Sequence, residues 1–372
     1  MEWKILGDNS LGNKFQITSF GESHGNLVGI ILDGIPAGLE LNEQFIQEEL
    51  DKRRPGQSDL TTPREERDEF EIVSGVFNGK TTGAPICMFI RNKDVDSSKY
   101  ETLKDYLRPA QVDFSAIKKY GGYSDYRGSG RFSGRITAGL VMAGAVAKQI
   151  LQLKDIRIFA YTKSIGEIND ATPYAIDDIE DCMISREKSK VRALNLEISI
   201  KMEKVIETVK IEGDSIGGEI KCVAKNIPAG IGGPIFNSLE SSISKAIFSI
   251  PAIKGIEFGA GFKATRMKGS QHNDPWIVKE GRIKTSKNDS GGIIGGVSIG
   301  MPIEFTVAVK PTPTISKAQK TVNMKTMREE TIVFSGRHDP CIVPRAVVVV
   351  EAMTAIALLD HLLTEGIIPS CL

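Results

Sequence analysis

A stretch of nineteen residues recurs in this chain. Residues 21–39 read GESHGNLVGIILDGIPAGL and residues 213–231 read GDSIGGEIKCVAKNIPAGI, with seven of nineteen positions identical and no gap. A second pair follows in the same order: GRFSGRITAGLVMAGAVAKQIL (130–151) and GRHDPCIVPRAVVVVEAMTAIALL (336–359). Each begins Gly-Arg, passes a polar turn and enters a long helix rich in small residues. Two matches in one order point to an internal duplication, and repeated units bury their apolar faces against one another. The expectation is one body of two similar halves, about 1–195 and 196–372, with a site where they meet. Length alone is less restrictive, since 372 residues allow two to three domains.

Apolar periodicity fills in the halves. Asn26–Leu32, Ile156–Thr162, Gly218–Ala224 and Glu304–Lys310 read as strands, several with β-branched alternation. Helices are expected over Leu41–Arg53, Ile136–Leu151, Glu197–Val209, Leu239–Ile247 and Ala346–Leu363. Pro55–Gly56 ends the first of these. Short Gly and Pro turns between strands favour antiparallel sheets with packed helices, an α+β class, over a doubly wound parallel sheet. Residues 163–195 carry the least pattern and read as an insertion.

Composition removes several functions. Lys+Arg and Asp+Glu are equal at 47, which speaks against a nucleic-acid binder, an RNA scaffold or a polybasic membrane binder. The five cysteines are scattered with no CxxC, so neither a disulfide framework nor a metal site is expected, and a reducing cytoplasm fits. The N-terminal MEWKILGDNSLGNKF lacks the apolar core of a signal peptide. Val343 to Leu363 is strongly apolar but contains Arg345, Glu351, Asp360 and His361, and reads as a buried helix.

Two glycine motifs mislead. NGKTTG (78–83) has the wrong spacing for a phosphate-binding P-loop and reads as a hairpin turn, and GGIIGG (291–296) lacks the dinucleotide fingerprint. Arginine beside glycine is the consistent theme: Arg53 and Arg54, Arg108, then Arg127, Arg131 and Arg135 in YRGSGRFSGR, Arg337 in GRHDPC, and Lys310 in KPTPT. Arg131 and Arg337 each precede an expected helix start, where free N–H groups attract anions. Guanidinium forks match phosphate and carboxylate bidentately, and glycine allows close approach. The pattern fits a pocket for a small ligand with several negative charges.

Among four histidines, His24 in GESHG and His338 in GRHDP stand near arginines, which disfavour the imidazolium and suit proton exchange near neutral pH. His361 reads as structural, and His272 in SQHND is open. A hydrolase triad from Ser23, His24 and Asp339 lacks both the usual geometry and a GxSxG elbow.

The combination FGESHG (20–25), RRPGQ (53–57), TTP-E (61–65), SGVFNGKTTGAPI (74–86), RPAQVDF (108–114), KYGGYSDYRGSGRFSGR (119–135), GSQHND (269–274), GGIIGG (291–296), KPTPTI (310–315) and GRHDPC (336–341) resembles chorismate synthase, in that family's order and over nearly the whole chain. The resemblance implies a reaction, the 1,4-elimination of phosphate from 5-enolpyruvylshikimate 3-phosphate to give chorismate. It implies reduced FMN without net redox change, from an external source because no reductase domain is evident. It also implies a β-α-β sandwich with helices between antiparallel sheets, internal pseudo-twofold symmetry and a homotetramer.

By the same resemblance, Arg131, Phe132, Ser133, Pro251, Ala252, Gly295, Lys310, Pro311, Thr312, Pro313, Thr314 and Arg337 lie at the flavin. Arg53, Arg54, Arg108 and Arg135 hold the substrate's anions, a cluster expected to repel itself when empty. His24 assists the protonation state of the reduced flavin, Asp339 assists proton removal, and Ser23 and Ser133 support them.

The chain departs from the family pattern in places. RPAQVD puts Gln111 where a second histidine is expected to protonate the departing phosphate, and a glutamine amide donates a hydrogen bond but no proton. Phe132 and Ile136 replace a serine and a glutamate, and Pro251 an asparagine. An active enzyme relying on arginines, or on His272 as substitute acid, is the main expectation. The alternative is a non-catalytic flavin- or anion-binding paralogue.

Overall fold

The computed structural model describes residues 7–57, 60, 67–93, 97–173, 179–334 and 339–372. Its frame is two antiparallel five-stranded sheets. In the first, β1 (Ser10–Leu11), β2 (Gln16–Gly21), β3 (Leu27–Asp33), β4 (Phe70–Ser74) and β5 (Ile86–Arg91) lie in the order β1-β2-β3-β5-β4. In the second, β6 (Arg157–Ile165), β7 (Ile168–Asn169), β8 (Gly218–Lys225), β9 (Ile253–Phe258) and β10 (Ile303–Val309) lie in the order β7-β6-β8-β10-β9. Apart from the two-residue edge strands, both sheets place their first, second, fourth and third strands side by side. The repeated segments put β3 and β8 in equivalent central places.

Alternation sets the register. Val28, Ile30 and Leu32 face Ile90, Met88 and Ile86 across β3 and β5, and all six are buried. Ile220 and Cys222 face Val307 and Phe305 across β8 and β10 in the same way. A one-residue slip would turn these faces to water.

Helix α1 (Glu43–Arg53) follows β3, and α2 (Asp113–Tyr120) and α3 (Thr137–Gln152) follow β5. In the second half α4 (Ile179–Lys188) and α5 (Leu196–Ile211) follow β7, α6 (Leu239–Phe248) follows β8, and α7 (Val343–Thr364) closes the core. Helix α3 packs on the first sheet, α7 on the second, and the two on each other, which makes the middle layer of the sandwich. They touch at Gly144, where a Cβ would stand 2.3 Å from that of Ala352. Helix α7 is long and apolar enough to cross a membrane, yet 83% of its most apolar window is buried in this core.

The expected strands and helices appear within a few residues of their sequence bounds. NGKTTG begins in the turn of the hairpin Val76–Phe77/Lys80–Thr81, with Asn78 and Gly79 both at positive φ, as a tight hairpin turn needs. The reading of 163–195 as an insertion needs correction. Arg186 of α4 is fully buried and hydrogen-bonds both Ala160 O of β6 and Glu351 of α7. Strand β6 belongs to the second sheet, so a division near 195 would separate it from its partner β8.

Candidate functional site

The helical phase of α1 brings Ile46, Glu49, Leu50 and Arg53 to its buried face, so Arg53 enters the core at the helix end while Arg54 turns away. The turn before α3 then supplies the opening motif. Gly128, Ser129 and Gly130 all adopt left-handed φ, which curls the chain and lets Arg131 to Arg135 line one wall.

That wall borders a cavity of about 730 Å³ between the halves. The first half contributes Arg53, Arg108, Gln111 and Gly128 to Arg135; the second contributes Ser249 to Lys254, Lys310, Thr312 to Thr314, Asp339 and Arg345. Seven cationic residues (Arg53, Arg108, Arg131, Arg135, Lys254, Lys310 and Arg345) line it, against one carboxylate among the described residues, Asp339. A neighbouring cavity of about 740 Å³ shares Tyr100, Arg108, Ser129, Arg131 and Phe132, but adds Glu22, Asp105, Asp113 and Asp125. Its acidic lining does not suit a ligand with several negative charges.

The arginines expected to repel one another are held by partners within the protein. Asp68, with no side-chain exposure, takes Arg53 Nη2 at 2.8 Å on one oxygen and Arg135 Nη1 on the other. Burial acts to raise the Asp68 carboxyl pKa, but the two guanidinium ions outweigh it and hold the value below the usual range. Burial first, and then Arg345 and Arg135, push Arg53 down to about 10 against the pull of Asp68, so it remains charged at neutral pH. Arg108 is held by Asp113 at 2.6 and 2.9 Å and by Ser129 Oγ at 3.0 Å. Arg345 pairs with Asp339 and donates to Arg53 O at 3.0 Å.

Arg131 donates to Gly21 O, Ser19 O and Asn9 Oδ1 at 2.9 to 3.1 Å. Its guanidinium therefore ties the motif to β2. Arg127 is held by Asp125. Lys310 donates to Ala110 O at 2.9 Å, and burial followed by Lys254 lowers its pKa. Thr312 Oγ1 is buried on the same wall without a hydrogen-bond partner among the described residues.

His24 and Ser23 stand one layer behind the lining. The His24 ring packs on the bare Cα of Gly128, Nδ1 meets Ser97 Oγ at 2.9 Å, and the Tyr100 ring meets it edge-on at 5.1 Å. Ser23 is buried and accepts from Ser133 Oγ at 3.1 Å. Gln111 Nε2 donates to Thr314 Oγ1 at 3.4 Å, joining the halves across the cavity. Phe132, Ser133, Pro251, Ala252, Lys310, Thr312, Pro313 and Thr314 line it.

Other expected positions are not brought there. Arg54 lies off the lining with Nε 3.3 Å from Asp51, because the next helical residue points elsewhere. Pro311 is exposed, and Gly295 sits at a turn beside the start of α6, both off the lining. His272 lies in a short helix off the cavity lining. Arg337, His338 and the TTP-E run fall outside the described residues. Sequence reasoning missed Asp68, Asp113, Ser97, Lys254 and Arg345. Arg345 had a usable signal, since it is a cation at the start of the second repeated helix.

A family model for chorismate synthase matches residues 15–363. The chain belongs to the chorismate synthase family. A chorismate synthase of Dehalococcoides mccartyi is 52% identical over 361 residues, covering 97% of this chain and 98% of the relative. One of Korarchaeum cryptofilum is 51% identical over 358 residues, 96% and 98% of the two chains. A solved structure described as a chorismate synthase superposes with a TM-score of 0.75 at 34% identity, over 95% of this chain and 93% of that one. Chorismate synthases are lyases of the shikimate pathway. The family works on 5-enolpyruvylshikimate 3-phosphate and uses a flavin, and its β-α-β fold is the one described above.

Proposed function

We propose that the cationic cavity binds reduced FMN and 5-enolpyruvylshikimate 3-phosphate together and carries out the 1,4-elimination that yields chorismate and phosphate. The excess of seven lining cations over one lining carboxylate supports this reading, because the two ligands bring two phosphates and two carboxylates.

The residues present fit a flavin phosphate and its polar ring edge. Lys310 and Lys254 form a cationic wall, and Thr312 Oγ1 offers a hydrogen bond that nothing among the described residues uses. Phe132, Ser133, Pro251, Ala252, Pro313 and Thr314 complete that side, with Arg131 holding the motif in place. Arg337, Pro311 and Gly295 are assigned to the flavin by family resemblance alone. When bound, reduced FMN supplies transient electron density that eases loss of an allylic phosphate without net redox change.

Arg53, Arg108, Arg135 and Arg345 hold the substrate's anions. Asp339 is the lining carboxylate able to accept the ring proton, and its pairing with Arg345 keeps it oriented. His24 acts through its ring edge at Gly128, with Ser97 holding Nδ1, while Ser23 and Ser133 relay between that layer and the lining. Gln111 orients through its amide, and the arginines neutralise the leaving phosphate in place of an acid.

We read the chain as one domain of two similar halves, acting in the cytoplasm as a homotetramer fed with reduced flavin by another protein. The test is anaerobic mixing with chemically reduced FMN and substrate, following chorismate absorbance and phosphate release, with Gln111→His alongside. Wild-type turnover is expected. Absence of turnover and of FMN binding would overturn the reading.

A further inference from the structure

The Arg53–Asp68–Arg135 cluster carries a carboxylate that no step of the reaction uses. Asp68 arrives on the segment just before β4, while Arg53 ends α1 and Arg135 opens α3. Its side chain is wholly buried and lies off the cavity lining, whereas both arginines line the cavity. Each carboxylate oxygen takes one guanidinium nitrogen from a different arginine. Arg53 Nη1 is further held by Gly134 O and Thr137 Oγ1, both at 3.3 Å, and Arg135 Nε by Asn92 Oδ1 at 3.0 Å. The two arginines are thus anchored from several sides, and their placement does not depend on Asp68 alone. Arg53 Nε is buried with no hydrogen-bond partner among the described residues.

We infer that Asp68 is a built-in anion that acts through Arg53 and Arg135 to set how tightly the cavity holds phosphate and carboxylate ligands. The inference rests on the substrate-binding role proposed for these arginines. Its logic is linkage. In the empty cavity Asp68 offsets the repulsion between two buried guanidinium ions. A bound anion offsets the same repulsion from the other side. Two like charges acting on the same cations oppose one another, so Asp68 stabilises the empty site more than the filled one. The protein therefore gains an arginine pair that is tolerable when empty, and product phosphate leaves a site where a standing carboxylate competes for it.

The sign of this effect is opposite to that of an ordinary binding residue. Calorimetric titration of wild-type and Asp68→Asn protein with inorganic phosphate, and separately with 5-enolpyruvylshikimate 3-phosphate, reads it without turnover. Asp68→Asn is expected to be less heat-stable when empty but to bind both ligands roughly 3- to 30-fold more tightly, as like charges several ångströms apart at a partly screened site imply. Phosphate should raise its melting temperature more than that of the wild type. Unchanged or weaker binding by a folded Asp68→Asn overturns the inference and leaves Asp68 a structural or orienting group.

If Asp68→Asn does not fold, Asp68→Glu serves. It keeps the charge and should bind phosphate within about threefold of the wild type; a loss of about tenfold or more would show that position, not charge, decides. Wild-type turnover beside unaltered affinity in Asp68→Asn would sink this inference alone. Anion binding that tightens in the variant, without wild-type turnover, would instead sink the proposed reaction.

Discussion

The α-carbon of Gly128 rests so closely on the imidazole of His24 that a β-carbon there would stand 2.3 Å from Cδ2 and 2.6 Å from Nε2. Gly128 also has φ +56, a left-handed conformation that costs an L side chain free energy. The glycine therefore does two things: it permits the turn, and it seats the histidine that lies behind the lining.

Gly128→Ala should displace the His24 ring and lower kcat/KM by about 10²-fold, with about 1–2 kcal/mol of lost stability from the backbone alone. Combining it with His24→Ala provides the check. If the glycine acts through the histidine, the double variant loses little more than His24→Ala does; additive losses would contradict that route.

Lys148 lies in α3 and reaches Glu351 of α7 at 2.6 Å, and it also pairs with Glu49 of α1. Glu351 in turn binds Arg186 and accepts from Ala160 N at 2.8 Å. Lys148→Met leaves two carboxylates buried without their shared cation. It should cost about 3–5 kcal/mol, read as a lowered midpoint in urea. Lys148→Met/Glu351→Gln should recover part of that loss.

Glu351 also sets an acid limit. Burial acts to raise its carboxyl pKa, but Lys148 and Arg186 outweigh it and bring the value down to about 2; Glu49 is lowered in the same network. A depressed folded value means the stabilisation is complete above the ordinary glutamate value of about 4.3 and is lost as pH falls towards about 2. Unfolding free energy measured from neutral pH downward should therefore fall steeply below about pH 4.3. Glu351→Gln should show a shallower fall over that range.

Gly144 has no room for a side chain against Ala352. Gly144→Val should force α3 and α7 apart and cost about 1–3 kcal/mol or more in thermal unfolding. Both helices begin at the cavity, so the KM for substrate should rise as well. Ala352→Gly in the same background should restore part of both.

Much of this was legible in the sequence because it is local. The repeat at 21–39 and 213–231 maps onto central strands of two sheets with the same strand order, and apolar spacing located α1, α3, α6 and α7. Gly128, Ser129 and Arg131 to Arg135 of the glycine-arginine motif line the cationic cavity. Strand and helix periods are set by neighbours two to four residues apart, so a single sequence carries them.

The tertiary structure decided how the charges are used. Arg53 and Arg54 are adjacent in sequence, yet one lines the cavity and the other does not. Arg131 lines the cavity while its guanidinium is engaged by the backbone of β2, and His24 lies behind Gly128. Asp68 had no motif to mark it and became the partner of two arginines, one 15 and the other 67 positions away in sequence. The physical reason is range. Ion pairs and burial depend on distances through space between segments far apart in the chain, and those distances exist only once both sheets have closed on the helices between them.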